Sequence, residues 1–246
     1  MTVAAGGEPE IIEYGSHSSQ YVESWRNDGA ADDAPAAVLL HGGYWRAKYS
    51  CDLMHPLARH LVSHGWRVLN IEYRRIGEVD HPWLAMRDDV LAGLALWADQ
   101  SFVLVGHSAG GHLALWAATA MADAEPLAVV ALAPVSDLVA ADELDLSEGA
   151  ARELMGACPN ESRGSYHAAS PRQLLPLGVP QLVVHGAIDN NVPPAMSKYY
   201  AQAARNAGDE VLYMAPMDVD HFDVIDPTAA VWVEILEWMT TKGNPS

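Results

Sequence analysis

Ser108, Asp189 and His221 lie far apart in the chain, yet they are the residue types that one acyl-transfer centre requires. Serine is a weak nucleophile at neutral pH. Attack on a carbonyl carbon therefore needs a neutral imidazole to take the hydroxyl proton, and a carboxylate on the far ring nitrogen to fix the tautomer and stabilise the imidazolium. Ser108 sits in Gly106-His107-Ser108-Ala109-Gly110, a G-x-S-x-G run preceded by the apolar stretch Phe102-Val103-Leu104-Val105. Leu113, Trp116, Ala117 and Ala120 follow at helical spacing, so the serine falls where a strand turns into a helix. Glycines at 106 and 110 suit a turn that leaves no room for side chains on the chain packed beside it. In this reading Ser108 is the nucleophile, His221 the base and Asp189 the orienting acid. The oxyanion needs donors already in place: the N–H of Ala109 at a helix N-terminus, and an N–H from the Gly42-Gly43 loop. Tyr44 and Trp45 follow that loop directly and are expected to line the pocket mouth and bind substrate.

Each assignment has rivals. His107 and His112 flank Ser108, but neighbours on one tight turn point away from the serine. Asp137 follows another predicted strand, and Asp218, Asp220 and Asp223 crowd His221; Asp189 is preferred because Ile188-Asp189-Asn190-Asn191-Val192-Pro193 reads as a polar turn at a strand end. His55, His60, His64 and His81 read as surface residues on or near helices, and His185 as a buried, hydrogen-bonded strand residue. Tryptophans 83, 97, 116, 232 and 238 lie on helical stripes and read as core. No C-x-x-C occurs and no paired His/Cys spacing suggests a structural metal, so no metal is expected. The glycines around Ser108 fit neither G-x-G-x-x-G nor a phosphate loop, so no cofactor is expected.

The elements that must position these groups are legible in outline. Ala36-Leu40, Arg67-Tyr73, Phe102-Gly106, Ala128-Ala133, Gln181-Gly186 and Glu210-Ala215 read as strands, several apolar on both faces, which implies a parallel sheet covered on both sides. Leu53, Leu57 and Leu61 mark a helix ended by Gly65. Trp83, Met86, Val90, Leu94 and Trp97 mark another begun by Pro82, and Val231, Ile235 and Trp238 a closing one. Residues 11–26 read as an antiparallel pair at one edge. The pattern predicts an α/β three-layer sandwich, a mostly parallel sheet flanked by helices, as a single domain over residues 1–246, with 137–178 a short cap insertion. In such sheets ligands bind beyond the carboxyl ends of the strands, and His41-Gly42-Gly43, Ser108, Asp189 and His221 each follow one. A formal net charge of −18, from 14 basic and 32 acidic residues, disfavours nucleic acid and anionic lipid as partners. Met1 to Pro9 lack a leader pattern, no run of about 18 apolar residues occurs, and two cysteines give no disulfide framework; a cytoplasmic protein is expected.

At this point the chain resembles the α/β-hydrolase fold, and within it the carboxylesterase and arylformamidase branch, from about Ala36 to Trp238. His41-Gly42-Gly43-Tyr44-Trp45-Arg46 is similar to the H-G-G-Y-W segment of kynurenine formamidases, and Gly106 to Gly110 to their nucleophile elbow. Glu72-Tyr73-Arg74-Arg75 and Val219-Asp220-His221-Phe222 are similar to segments of small bacterial esterases. The resemblance implies a serine hydrolase that cleaves a small carboxylic ester or an aryl amide or formamide through an acyl-enzyme, without a cofactor. A small-molecule ester or amide is then the expected partner, and a homodimer stays open. N-formylkynurenine is the sharper substrate option, with Arg46, Arg74 or Arg75 either holding its carboxylate or standing as solvated surface groups. Tyr44 replaces the third glycine of the lipase H-G-G-G pattern, so Gly43 and Tyr44 both remain as sources of the second oxyanion N–H. The alternatives are a prolyl-oligopeptidase-type peptidase and a non-catalytic binding protein on the same fold.

Overall fold

Ala36-Ala37-Val38-Leu39-Leu40 carries no polar side chain, and as β3 (Ala36–Leu40) it is buried on both faces. β5 (Val103–His107), β6 (Ala128–Leu132) and β7 (Gln181–Val184) are likewise buried on both faces, with His107 and Gln181 their only polar side chains. Strands of this composition are stable only between two layers of helices. The structure, a computed structural model, describes residues 7–27, 34–121 and 126–243. Its sheet also contains β1 (Glu10–Glu13), β2 (Tyr21–Trp25), β4 (Arg67–Ile71) and β8 (Val211–Met214), in the order β1-β2-β4-β3-β5-β6-β7-β8. β1 pairs with β2 and β2 with β4 antiparallel; all other neighbours are parallel.

Alternation along each strand splits the core. Ala37, Leu39, Val103, Val105 and Val130 face one side, under α1 (His55–Ser63) and α8 (Val231–Gly243). Val38, Leu40, Leu104, Val129 and Val183 face the other, under α2 (Pro82–Ala95), α3 (Ala109–Ala120) and α7 (Pro194–Ala207). Pro82 opens α2 at a position where its missing N–H costs nothing, and Gly208, left-handed at φ 101°, closes α7. The three-layer sandwich and the edge hairpin are those the sequence predicts. Differences lie at the ends: β4 and β7 stop two residues before the predicted boundary, so His185 stands just past its strand, and α2 ends at Ala95, before Trp97.

Segment 137–178 contains α4 (Leu138–Glu143), α5 (Ala150–Met155) and α6 (Arg163–Ala169). Leu138, Ala141, Leu154, Tyr166 and Ala169 join the same buried cluster as α2 and α3, so the segment packs into the main core. Among the described residues no helix is long and apolar enough to cross a membrane.

Candidate active site

Ser108 joins β5 to α3 with φ 54° and ψ −115°, a conformation that costs a residue with a side chain about 1–3 kcal/mol. Its surroundings enforce the turn. The Ser108 N–H donates to Leu132 O at 2.8 Å, and Ser108 O accepts from the N–H groups of His112 and Val135. A Cβ at Gly106 would lie 2.1 Å from Gly110 O, and one at Gly110 would lie 2.0 Å from Leu40 O. These glycines are required by close backbone approach rather than by an unusual dihedral. Ala109 is the first residue of α3, so its N–H has no partner within the helix.

His221 follows β8 and faces the acid turn after β7. Its Nδ1 lies 2.6 Å from Asp189 Oδ2, so Nδ1 carries the proton and Nε2 keeps its lone pair. Donors surround Asp189: Oδ1 takes the N–H groups of Asn191 (2.7 Å) and Val192 (2.9 Å), while Oδ2 takes His221 and lies 3.1 Å from His185 Nε2, whose N–H also meets Val192 O. Burial pushes this carboxyl upward, but the N–H donors of His185 and His221 outweigh it and hold the group well below the ordinary carboxylate range. Ser108 and His221 line one cavity of about 40 Å³, together with Gly43, Tyr44, Tyr49 and Phe222. Ser108 Oγ is buried and has no hydrogen-bond partner among the described residues. Nucleophile–base hydrogen bonds are often long before substrate arrives and tighten around it.

Both neighbouring histidines are held through Nε2 by backbone carbonyls. His107 Nε2 donates to His221 O at 2.8 Å, pinning the His221 backbone, and burial, aided by His221, lowers its pKa to about 3. His112 donates through Nε2 to Ala169 O and accepts from Trp45 Nε1, and burial lowers it to about 4. The rival carboxylates are engaged elsewhere. Asp137 caps α4 through the N–H groups of Val139 and Ala140 and pairs with Arg172, while Asp220 and Asp223 accept backbone N–H groups of their own turn.

The loop after β3 brings Gly42 against the elbow, where a Cβ would lie 3.0 Å from Ser108 Cβ. Gly43, Tyr44 and Trp45 then take positive φ in succession, at 114°, 49° and 59°. That path sends the two aromatics to different places. Tyr44 lines the cavity and donates its hydroxyl to Asn191 O at 2.5 Å; burial and nearby Asp189 push its pKa up to about 12, so it stays a donor. Trp45 turns into the core, 1% exposed, and does not line the cavity, contrary to its expected place at the mouth. Behind the loop, His41 Nδ1 lies 2.7 Å from Gly42 O and Nε2 3.1 Å from Glu72 Oε1, with the ring stacked on Tyr73. Tethering the Gly42 carbonyl fixes the plane of the Gly42–Gly43 peptide, so the Gly43 N–H points to the opposite side. Glu72 also accepts the N–H groups of Cys51 and Tyr73 and pairs with Arg75. Burial raises its carboxyl, while His41 and Arg75 bring it below the ordinary value.

The three arginines each pair with a carboxylate of the protein, Arg46 and Arg74 with part of the side chain exposed and Arg75 buried. Arg46 pairs with Glu153, Arg74 forks onto Asp89 at 2.8 and 2.7 Å, and Arg75 is buried against Glu72 and Glu78. None lines the cavity; in so acidic a chain, each cation is taken by the protein's own carboxylates. One group of potential metal donors exists among the described residues: Glu23, Cys51, Asp52 and His55, with ligand atoms within 4.8 Å of one another. Its buried carboxylate already accepts from His55, Asn70 and Trp25, which makes it a hydrogen-bonded cluster rather than an open ligand set. Sequence spacing missed this group because β2 and residues 51–55 meet only in the fold. It also missed the cavity walls Tyr49, Leu53, Asn191 and Phe222, which no pattern marks, and the contact of His185 with Asp189.

The chain is similar to the esterase LipQ of Mycobacterium tuberculosis, 28% identical over 226 residues that cover 81% of this chain and 53% of that protein. It thus spans about half the length of that relative. It is also similar to the kynurenine formamidase of Drosophila melanogaster, 25% identical over 93% of this chain and 79% of that one. A truncated carbohydrate esterase from gut microbiota superposes with a TM-score of 0.83 at 18% identity, covering 98% of this chain and 96% of that one. The mostly parallel eight-stranded sheet and this likeness give the α/β-hydrolase fold. With its motifs on that scaffold, and with residues 25–203 matching the family model, the chain belongs to the BD-FAE family.

Proposed function

We propose that this protein is a serine hydrolase that cleaves small carboxylic esters, or aryl amides of similar size, through an acyl-enzyme. The observation that carries the reading is the 2.6 Å bond from Asp189 to His221, which shares a cavity wall with Ser108 on its strained turn. Ser108 Oγ attacks the carbonyl carbon as its proton passes to His221 Nε2. The tetrahedral oxyanion is met by the Ala109 N–H and an N–H of the Gly42-Gly43 loop; the tethered Gly42 carbonyl favours Gly43 as that second donor. Collapse expels the leaving group with the proton from His221. Water then attacks the acyl-enzyme with His221 again as base, restoring the Ser108 hydroxyl.

Cavity size supports a short acyl group. About 40 Å³ is room for roughly three waters at about 10–15 Å³ each, comparable to a formyl or acetyl group. Two relatives carry the names esterase and kynurenine formamidase, which suits either chemistry. Esters are favoured over amino-acid formamides because Arg46, Arg74 and Arg75 are each committed to a carboxylate of the protein. Residues 137–178 are read as a short insertion of a single domain, since their apolar side chains share its core. The test is labelling with a fluorophosphonate followed by peptide mapping. Modification at Ser108, lost together with p-nitrophenyl acetate turnover in Ser108→Ala, is the expected result. An unlabelled, inactive wild type favours a binding protein on this fold.

A further inference from the structure

Two imidazoles meet one carboxylate oxygen beside the cavity. His185, one residue past β7 and wholly buried, has Nε2 3.0 Å from Val192 O and 3.1 Å from Asp189 Oδ2. Both partners accept only, so Nε2 carries the proton. In the neutral ring Nδ1 is then an acceptor, and Ser197 Oγ of α7 lies 2.7 Å away to donate to it. Asp189 Oδ2 is the same atom that takes His221 Nδ1. We propose that His185, with its tautomer set by Ser197, is a positioning residue whose Nε2–H, shared between Val192 O and Asp189 Oδ2, fixes the carboxylate rotamer and limits the carboxylate's pull on His221.

This inference rests on the serine-hydrolase reading. A carboxylate offers about four lone-pair sites, and here three are filled, by the Asn191 and Val192 N–H groups and by His221, while the fourth faces the His185 Nε2–H, which it shares with Val192 O. Without His185 one site of a buried oxygen has no donor. The negative charge then falls more fully on the bond to His221, the imidazolium is favoured, and the base becomes free only at higher pH. Other titratable groups around the pair do not take over this role. His107, with its ring 4.7 Å from that of His221, is held neutral by burial, and the Tyr44 hydroxyl donates to Asn191 O. Asp220 and Asp223 face the backbone amides of their own turn.

The experiment compares kcat/KM for p-nitrophenyl acetate across pH in wild type, His185→Leu, His185→Gln and Ser197→Ala, with fluorophosphonate labelling of each. Losing a hydrogen bond to a charged group is expected to lower kcat by about 10- to 100-fold in His185→Leu with KM little changed. The acid limb of kcat/KM should move up by about half a pH unit or more. His185→Gln keeps an N–H near the Nε2 position and should recover both to within about threefold. Ser197→Ala should move the limb in the same direction by less. A merely structural histidine would lower activity without moving the limb, and glutamine would not rescue it; either result overturns the proposal. Should His185→Leu fail to fold, an unmoved limb in Ser197→Ala overturns it. A wild type unlabelled at Ser108 would instead sink the hydrolase reading, which the other results leave standing.

Discussion

Replacing Asp189 with asparagine separates the proposed orienting role of its carboxylate from its bulk. In the wild type Oδ2 faces two imidazole N–H groups and Oδ1 faces two backbone N–H groups. An amide has one oxygen, so whichever way it turns, its NH2 meets a pair of donors. Turning the NH2 toward Asn191 and Val192 opposes two N–H groups that cannot move, at about 1–3 kcal/mol for each unmatched donor. Turning it toward the histidines costs less, because His221 escapes the clash by carrying its proton on Nε2. That tautomer has no lone pair for the Ser108 hydroxyl. The expected loss in Asp189→Asn is about 10 000-fold in kcat, or about 5.4 kcal/mol of transition-state stabilisation, with KM little changed. Asp137→Asn is the control: asparagine caps a helix as well as aspartate does, and the Arg172 pair is half exposed, so kcat should stay within about threefold. Steady-state and burst kinetics with p-nitrophenyl acetate at several pH values make the comparison. Asp189→Asn keeping more than about a tenth of kcat, or Asp137→Asn losing as much as it does, would refute the reasoning.

Other tests address the turn, the acyl site and the buried carboxylates. Gly110→Ala would place a methyl 2.0 Å from Leu40 O and 2.5 Å from His41 O, backbone atoms that cannot give. It should destabilise by about 3 kcal/mol or more, lowering Tm by about 6–12 °C in calorimetry, and a variant as stable as wild type contradicts the packing argument. p-Nitrophenyl acetate should exceed the octanoate ester in kcat/KM by about 100-fold, because six further methylenes have no room in a cavity of about 40 Å³; the reverse order removes the short-acyl reading. Glu72, whose folded carboxyl titrates below its ordinary value, contributes stability above about pH 5 that fades as pH falls through its folded pKa. Glu72→Gln should therefore lower the urea midpoint most near pH 7 and progressively less below about pH 4, and a penalty that grows on acidification would reverse that assignment.

How much of this was legible in the chain follows from how local each determinant is. The central strands could be read because Ala36-Leu40 and Ala128-Leu132 are apolar on both faces, and burial on both sides is a property of the strand itself. The elbow could be read because two close backbone approaches need small residues at fixed spacing around one serine. Trp45 could not: its inward path depends on three successive positive φ values, set by how the loop packs on Tyr49 and His112. The arginines could not, because Arg46 finds Glu153 across the fold, and Arg75 is buried by the loop over it. His185 was legible as buried, but its proximity to Asp189 arises from a turn whose curvature no periodicity encodes.

The two buried carboxylates near the cavity share one logic. Glu72 receives His41, Cys51, Tyr73 and Arg75; Asp189 receives His185, Asn191, Val192 and His221. Buried charge adds little net stability compared with apolar packing, but a carboxylate met by four donors has one favoured orientation, and so have its donors. Each therefore acts as a knot between loops distant in sequence: residues 41–42, 51 and 75 around Glu72, and 185, 191–192 and 221 around Asp189. The first knot holds the peptide proposed to donate to the oxyanion, and the second holds the proposed base. Parallel strands stop pairing at their carboxyl ends, leaving loops that backbone ladders no longer position. A carboxylate met by four donors supplies the missing constraint there, which is why removing one donor should disturb reaction geometry more than it disturbs folding.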